Sequence, residues 1–414
     1  MTTTAELQQQ TLRVLVVAQV LSGAGLAAGI TVGALLAQDM LGSTGLAGLP
    51  SALFTAGSAL AAVGVGRISQ SHGRRPGLAT GYAVGAVGSV GVVVAAVLDS
   101  PVLLFGALFI YGAGSATNLQ ARYAGADLAD PGHRARAIST VLVATTLGGV
   151  VGPLLAAPTG QLAHMVGVPH LAGPFLLAAV AYAAAAAFLA VRLRPDPLLH
   201  AREVAASEAA TGAQPGAVPV AAPAEVSHGI FLGTLVMVLT QIVMVAIMTM
   251  TPVHMHDHGH GTGAAGAVIA VHVAAMYLPS PLTGRLVDRV GSTTMAVASG
   301  GTLLAAGLLA ASAPDDSVVL LALALALLGL GWNFGLVSGS AIITNAAPLE
   351  TRARTQGLVD VSIAVAGAGG GLMSGVVVGL ASYSLLSLGG GLLALAIVPA
   401  IAATSRSRGP LAPA

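Results

Sequence analysis

The side chains best able to do chemistry collect in one stretch of this 414-residue chain, residues 237–276, MVLTQIVMVAIMTMTPVHMHDHGHGTGAAGAVIAVHVAAM. It holds six of the 11 Met and five of the 11 His. Met244 and Met248 stand four apart, as do His272 and Met276. Residues at i and i+4 share a helix face, so each pair offers two donors pointing one way. Thioether and imidazole are soft ligands that suit Cu(I), a weakly hydrated single charge that needs no carboxylate. Sites for Zn, Mn or Mg normally recruit Asp or Glu, and neither flanking apolar run (229–252 and 262–286) contains one. Met also fills irregular apolar space, so a Met pair alone reads equally as core packing. His272 is different, because an imidazole inside an apolar span must find a partner and marks function by default. Gln241 or a neighbouring carbonyl is the structural alternative. Between the pairs lies HMHDHGH, with His254, Met255, His256, His258 and His260. Read as an extended turn, its alternation puts four imidazoles on one side. That is a metal-collecting composition, or else a solvated polar turn.

These residues must be held by membrane helices. The chain is 55% apolar and 7% charged, against about 25% charged in soluble domains. The 55 Gly and scarce aromatics suit closely packed membrane helices. There is no Cys, which excludes disulfides and thiolate sites. There is no Lys either, so the chain has no phosphate-binding Gly-Lys-Ser/Thr loop and ATP-driven transport is not expected. No Ser-His-Asp set or paired carboxylates are legible, and no basic nucleic-acid surface; the chain reads as a non-enzyme whose surroundings are lipid. MTTTAELQQQ is polar and leads into a run long enough to span, so no cleavable signal peptide is expected.

About 20 apolar residues cross a bilayer. Twelve such runs are present: about 12–38, 46–69, 77–98, 101–124, 137–158, 172–192, 229–252, 262–286, 293–313, 317–341, 356–379 and 383–404. The polar gap 193–228 is rich in Pro, Ala and Glu and reads as a flexible linker. It divides a six-helix half, 1–192, from a second, 229–414. All 16 cations are Arg. With the N-terminus inside, every one falls on inner segments, while outer turns carry only Asp39, Asp99, Asp257, Asp315 and Asp316. The positive-inside rule therefore puts both termini and the linker in the cytoplasm and the His-rich turn outside. At ~1.5 Å per residue, Met248, Met244, His272 and Met276 lie ~6, ~12, ~15 and ~21 Å below the outer surface.

A repeat runs at an offset of 218 residues: Gly66-Arg67 with Gly284-Arg285, Gly73 with Gly291, and Arg134-Ala135-Arg136 with Arg352-Ala353-Arg354. Two parallel six-helix repeats are a known transporter plan. On GRISQSHGRR (66–75) and its echo GRLVDRVGST (284–293), the sequence resembles the major facilitator superfamily. The resemblance implies an all-α membrane protein, a 12-helix bundle of two parallel six-helix halves. It also implies a cytoplasmic gate. Gly66, Gly73, Arg74 and Arg75 fit the family's loop pattern; Gln70 stands where that pattern has an acid, and the echo keeps its acid as Asp288. Arg134, Arg136, Arg352 and Arg354 complete the gate. Asp360, about two turns in from Arg354, is expected to pair with a gate arginine, and it is the candidate carboxylate for proton coupling. Pro153 is expected to kink helix 5.

The pairs Met244/Met248 and His272/Met276 are similar to the metal motifs of CcoA-like copper importers, the branch that supplies copper for bacterial cytochrome oxidase assembly. The resemblance implies secondary import of copper through these four residues, with copper as substrate and no permanently bound cofactor. The expected setting is a bacterial-type inner (plasma) membrane and a monomer. The alternative is a proton-coupled exporter of small organic molecules or drugs, which calls for a membrane carboxylate and an aromatic-lined cavity. A non-transporting metal sensor would need a soluble domain larger than 193–228.

Overall fold

The computed structural model describes residues 3–41, 49–210 and 223–406. Helices account for nearly all of them, and no strand occurs among the described residues. Ten described helical segments are long and apolar enough to cross a membrane. Contacts divide the chain into two compact units. One comprises Met1–Ala217 with Pro348–Val365; the other comprises Val218–Ala347 with Ala366–Ala414.

The first unit contains α1 (Thr4–Leu41), α2 (Leu49–His72), α3 (Arg74–Val97), α4 (Pro101–Ala124), α5 (Arg134–Leu154), α6 (Ala156–Met165), α7 (Gly173–Arg192) and α8 (Pro197–Ala210). α3 packs on α4 and α7, α2 on α4, and α1 on α5 and α7. Helices approach where side chains are missing. A Cβ on Gly85 of α3 would lie 2.8 Å from Gly114 of α4, so that seam admits hydrogen only. Such close approach is how membrane helices gain contact without a hydrophobic driving force. Tyr82, Tyr111, Phe175 and Tyr182 are fully buried between these helices. Their rings meet at centroid separations of 5.4–5.7 Å.

The second unit contains α9 (Pro223–Asp257), α10 (Thr262–Tyr277), α11 (Ser280–Val290), α12 (Ser292–Ser312), α13 (Val318–Ala346), α15 (Tyr383–Ala394) and α16 (Ile397–Arg406). α14 (Arg352–Leu380) contributes its residues up to Val365 to the first unit and the rest to the second. α13 is central here, with α9, α10 and α12 packed on it. Ser317 and Ser382 accept the backbone N–H groups of Leu320 and Leu385 and so cap α13 and α15.

The repeat reappears as geometry. α2 gives way to α3 at Gly73, with φ 95°, and α11 to α12 at Gly291, with φ 93°. Both are backbone conformations that a Cβ disfavours. α5 and α14 open on the matched Arg134 and Arg352.

Three of the expected spans contain a break, although Gly263–Val290 and Tyr383–Ala403 remain long and apolar enough to cross a membrane, and two other expectations need correction. The runs 137–158, 262–286 and 383–404 are each divided between two helices. The second divides at Pro279, which together with Pro281 removes two backbone N–H donors within one turn. Part of the stretch read as flexible linker, Pro197–Ala210, is helical, because Asp196 accepts the N–H groups of Leu198 and Leu199 and starts the turn. The first long helix of the second half continues past the apolar run 229–252 and through Pro252. That proline lies inside α9, which runs five residues further, to Asp257, since one lost i→i−4 bond does not end a helix. In consequence residues 254–257 are helical, not extended.

Candidate functional site

All four expected Met/His ligands lie in the second unit, on two helices. α9 presents Met244, 4% exposed, and half-buried Met248 one turn later. α10 presents His272, fully buried, and Met276, 7% exposed. What fixes α10 is α13. Gly329 lies so close that a Cβ there would stand 2.5 Å from the His272 carbonyl oxygen and 3.0 Å from the Met276 nitrogen. The Nδ1 of His272 makes a 2.8 Å hydrogen bond with the Leu325 carbonyl oxygen. Asn333 donates through Nδ2 to the Met276 carbonyl and to Ser280 Oγ, both at 2.7 Å. With Nδ1 carrying the proton toward Leu325, the lone pair sits on Nε2. That nitrogen is buried and has no hydrogen-bond partner among the described residues. So the carbonyl partner allowed by the sequence is real, and it satisfies only half of the ring. The other option is not used: Gln241 Oε1 accepts from Trp332 Nε1 at 2.8 Å. Trp332 also meets Tyr277 edge-on at 5.6 Å.

At the end of α9 the helix decides which histidines meet. His254 and His258 are one turn apart and their ring centroids are 4.4 Å apart. Asp315, in the α12–α13 connection, reaches both: His254 Nε2 lies 3.5 Å from Oδ1 and His258 Nε2 lies 3.5 Å from Oδ2. His260 bonds the Asp315 backbone carbonyl at 2.8 Å. His256 is exposed, while Met255 is completely buried. The even spacing of the histidines in sequence therefore does not survive; helical spacing pairs two of them and adds an aspartate that the turn itself does not contain.

The residues expected at the cytoplasmic gate that lie in the first unit take part in a second polar assembly. Gln70 Oε1 accepts the N–H groups of Ala353 at 2.8 Å and Arg354 at 3.3 Å, and its Nε2 donates to the Leu349 and Glu350 carbonyls. The amide thus does at the start of α14 what an acid could do only as acceptor. Arg74 is fully buried and forms a bidentate pair with Asp127, Nε–Oδ2 2.7 Å and Nη2–Oδ1 3.3 Å. Its Nη2 also donates to Gln356 Oε1 at 2.6 Å. Arg352 Nη1 lies 4.0 Å from Asp127 Oδ1. Asp360 pairs with Arg122 at 2.8 Å, and the same guanidinium donates to Tyr123 Oη. Arg75 offers its backbone N–H to Asp196 at 2.7 Å. Arg134 and Asp288 are half-buried, and Arg136 and Arg354 are exposed. Asp127, Gln356 and Asp196 were missed by the sequence reading. Asp127 had one visible signal, an acid beside a run of inner arginines. Gln356 and Asp196 had none.

Comparison with known proteins bears on this assembly as a whole. The Major Facilitator Superfamily model matches residues 15–371 and 264–412. The chain is 56% identical over 395 residues to the uncharacterized MFS-type transporter YdeG of Bacillus subtilis, covering 95% of this chain and 92% of that one. It is 30% identical to the riboflavin transporter RfnT of Brucella anthropi over 367 residues, 86% of each chain. Among solved structures, the proton:xylose symporter XylE shares the fold at a TM-score of 0.70 and 15% identity, covering 96% of this chain and 95% of that one. The chain is a multi-pass membrane transporter, not an enzyme, and belongs to the major facilitator superfamily.

Proposed function

We propose that this transporter imports copper through Met244, Met248, His272 and Met276. The observation that carries the reading is the unpartnered Nε2 of His272, a buried imidazole lone pair with its tautomer set by the Leu325 carbonyl. A metal-ligating histidine normally gives its other ring nitrogen to such a carbonyl. Buried Met244 and Met276 and half-buried Met248 add thioethers on the same two helices, and soft donors without a carboxylate favour Cu(I). In this reading the chain is a monomer of a bacterial plasma membrane, with both termini and residues 193–228 cytoplasmic. Gln70, Arg74, Arg75, Arg134, Arg136, Asp288, Arg352, Arg354 and Asp360 act at the cytoplasmic gate. A proton is the coupling ion.

The test is Cu(I) uptake into vesicles containing wild type, His272→Ala, Met244→Leu and Met276→Leu. Loss in all three variants, with normal expression, is the expected result. Leu swaps for Met usually cost under ~1.5 kcal/mol, so folding is spared. Normal uptake by His272→Ala refutes the reading. A second reading rests on the likeness to RfnT: transport of an organic solute of the riboflavin type. Riboflavin uptake is therefore measured in the same vesicles. Riboflavin transport without copper transport would establish it instead.

A further inference from the structure

The geometry points to a divalent transition-metal site, of the kind that takes Zn2+, formed by His254 Nε2, His258 Nε2 and the Asp315 carboxylate. These three ligand atoms lie within 4.8 Å of one another. Both imidazole nitrogens face one carboxylate, one on each oxygen, at 3.5 Å. Ligands about 2.0–2.1 Å from a tetrahedral zinc stand about 3.3 Å apart, so the two His–Asp edges are already close to the spacing a bound ion imposes. Two nitrogens and one oxygen form a borderline ligand set, suited to Zn2+ and unlike the thioether set on α9 and α10. The fourth position is left for water.

The surroundings hold each ligand in place. His258 Nδ1 bonds the His254 carbonyl oxygen at 2.7 Å, which leaves its Nε2 lone pair free for a cation. The His254 ring stacks on Tyr383 at 4.3 Å with 13° between planes. Tyr383 is anchored through its hydroxyl to Thr251 at 2.8 Å. His260 holds the Asp315 backbone at its carbonyl. A bound ion therefore ties the end of α9 to the α12–α13 connection, with α15 supporting through Tyr383. His256, exposed and off this face, takes no part. The site does not depend on which solute the chain carries.

The experiment is Zn2+ titration of the full chain in detergent, purified without a polyhistidine tag, with Trp332 emission as the folding control. Wild type is expected to bind one Zn2+ at this site. Loss of an outer-shell partner alone weakens metal binding about 10–100-fold, so Asp315→Ala and His258→Ala should weaken it by at least about a hundredfold. His256→Ala should bind as wild type. Should either ligand variant fail the folding control, Asp315→Asn and His258→Gln take its place. No Zn2+ binding by wild type overturns the proposal, as does wild-type binding by the Asp315 variant or an equal loss in His256→Ala. Intact Zn2+ binding alongside absent copper uptake would separate this site from the copper reading.

Discussion

Gly329→Ala tests the seat of His272 directly. The added Cβ would stand 2.5 Å from the His272 carbonyl oxygen, 3.0 Å from the Met276 nitrogen and 3.1 Å from the Ala275 Cβ. Two of these neighbours are backbone, so no rotamer change relieves them. α10 must back away by about 0.9 Å before the nearest reaches 3.4 Å, where ordinary contact begins. A shift of that size lengthens the 2.8 Å His272–Leu325 bond and the 2.7 Å Asn333–Met276 bond past useful range. Overpacking costs about 1–3 kcal/mol, and interhelical hydrogen bonds in a bilayer average about 0.6 kcal/mol each. Together these make roughly 2–4 kcal/mol. The chain's single tryptophan, Trp332, sits three residues along α13 and touches Tyr277 of α10, so its emission reports the separation. The expected result is shifted emission and a melting point lowered by several degrees in detergent. Gly301→Ala, which meets nothing within 4 Å, should change neither. If Gly329→Ala leaves melting and emission as in wild type, α10 does not rest on α13 as described, and Leu325 does not set the His272 tautomer.

Two more outcomes follow from the first unit and from the arginine pattern. Asp127→Asn strips the charge partner from fully buried Arg74; breaking a buried pair on one side costs about 3–5 kcal/mol. The protein should melt far earlier in detergent, and the apolar double variant Arg74→Met with Asp127→Leu should recover most of the loss. For topology, epitope tags at either terminus or within 193–228 should stay protected from protease in intact cells, while a tag after Asp257 should be cleaved; a cleaved N-terminal tag overturns the orientation.

What was legible in the sequence follows from what membranes demand. Apolar runs of about 20 residues reflect the bilayer alone, so the helical architecture could be read without coordinates, while the repeat and the family resemblance rested on the matched stretches 66–75 and 284–293. Gly73 and Gly291 could be paired because each backbone needs a conformation that side chains disfavour. Illegible features depended on partners distant in sequence. Nothing near His254 announces Asp315, since the α12–α13 connection reaches it only in the fold. Gln356 looked like any polar residue until Arg74 was placed beside it. The histidine turn misled because alternation implies a shared face only in a strand, and α9 carries its helix through Pro252 as far as Asp257. His272 was read as needing a partner; its half-satisfied ring could come only from the structure.

The amide at position 70 has a consequence for the conditions under which α14 stays fastened. A carboxylate there would titrate near its ordinary pKa of about 4, and its attraction for cations would fade as ionic strength rises. Gln70 has no proton to gain or lose in that range, and it both accepts from two backbone N–H groups and donates to two carbonyls. The amide is uncharged, so acidification leaves its own four hydrogen bonds unchanged, while Arg202, which donates to the Gln70 and Leu349 carbonyls, and the buried Arg74–Asp127 pair carry the charge at this junction.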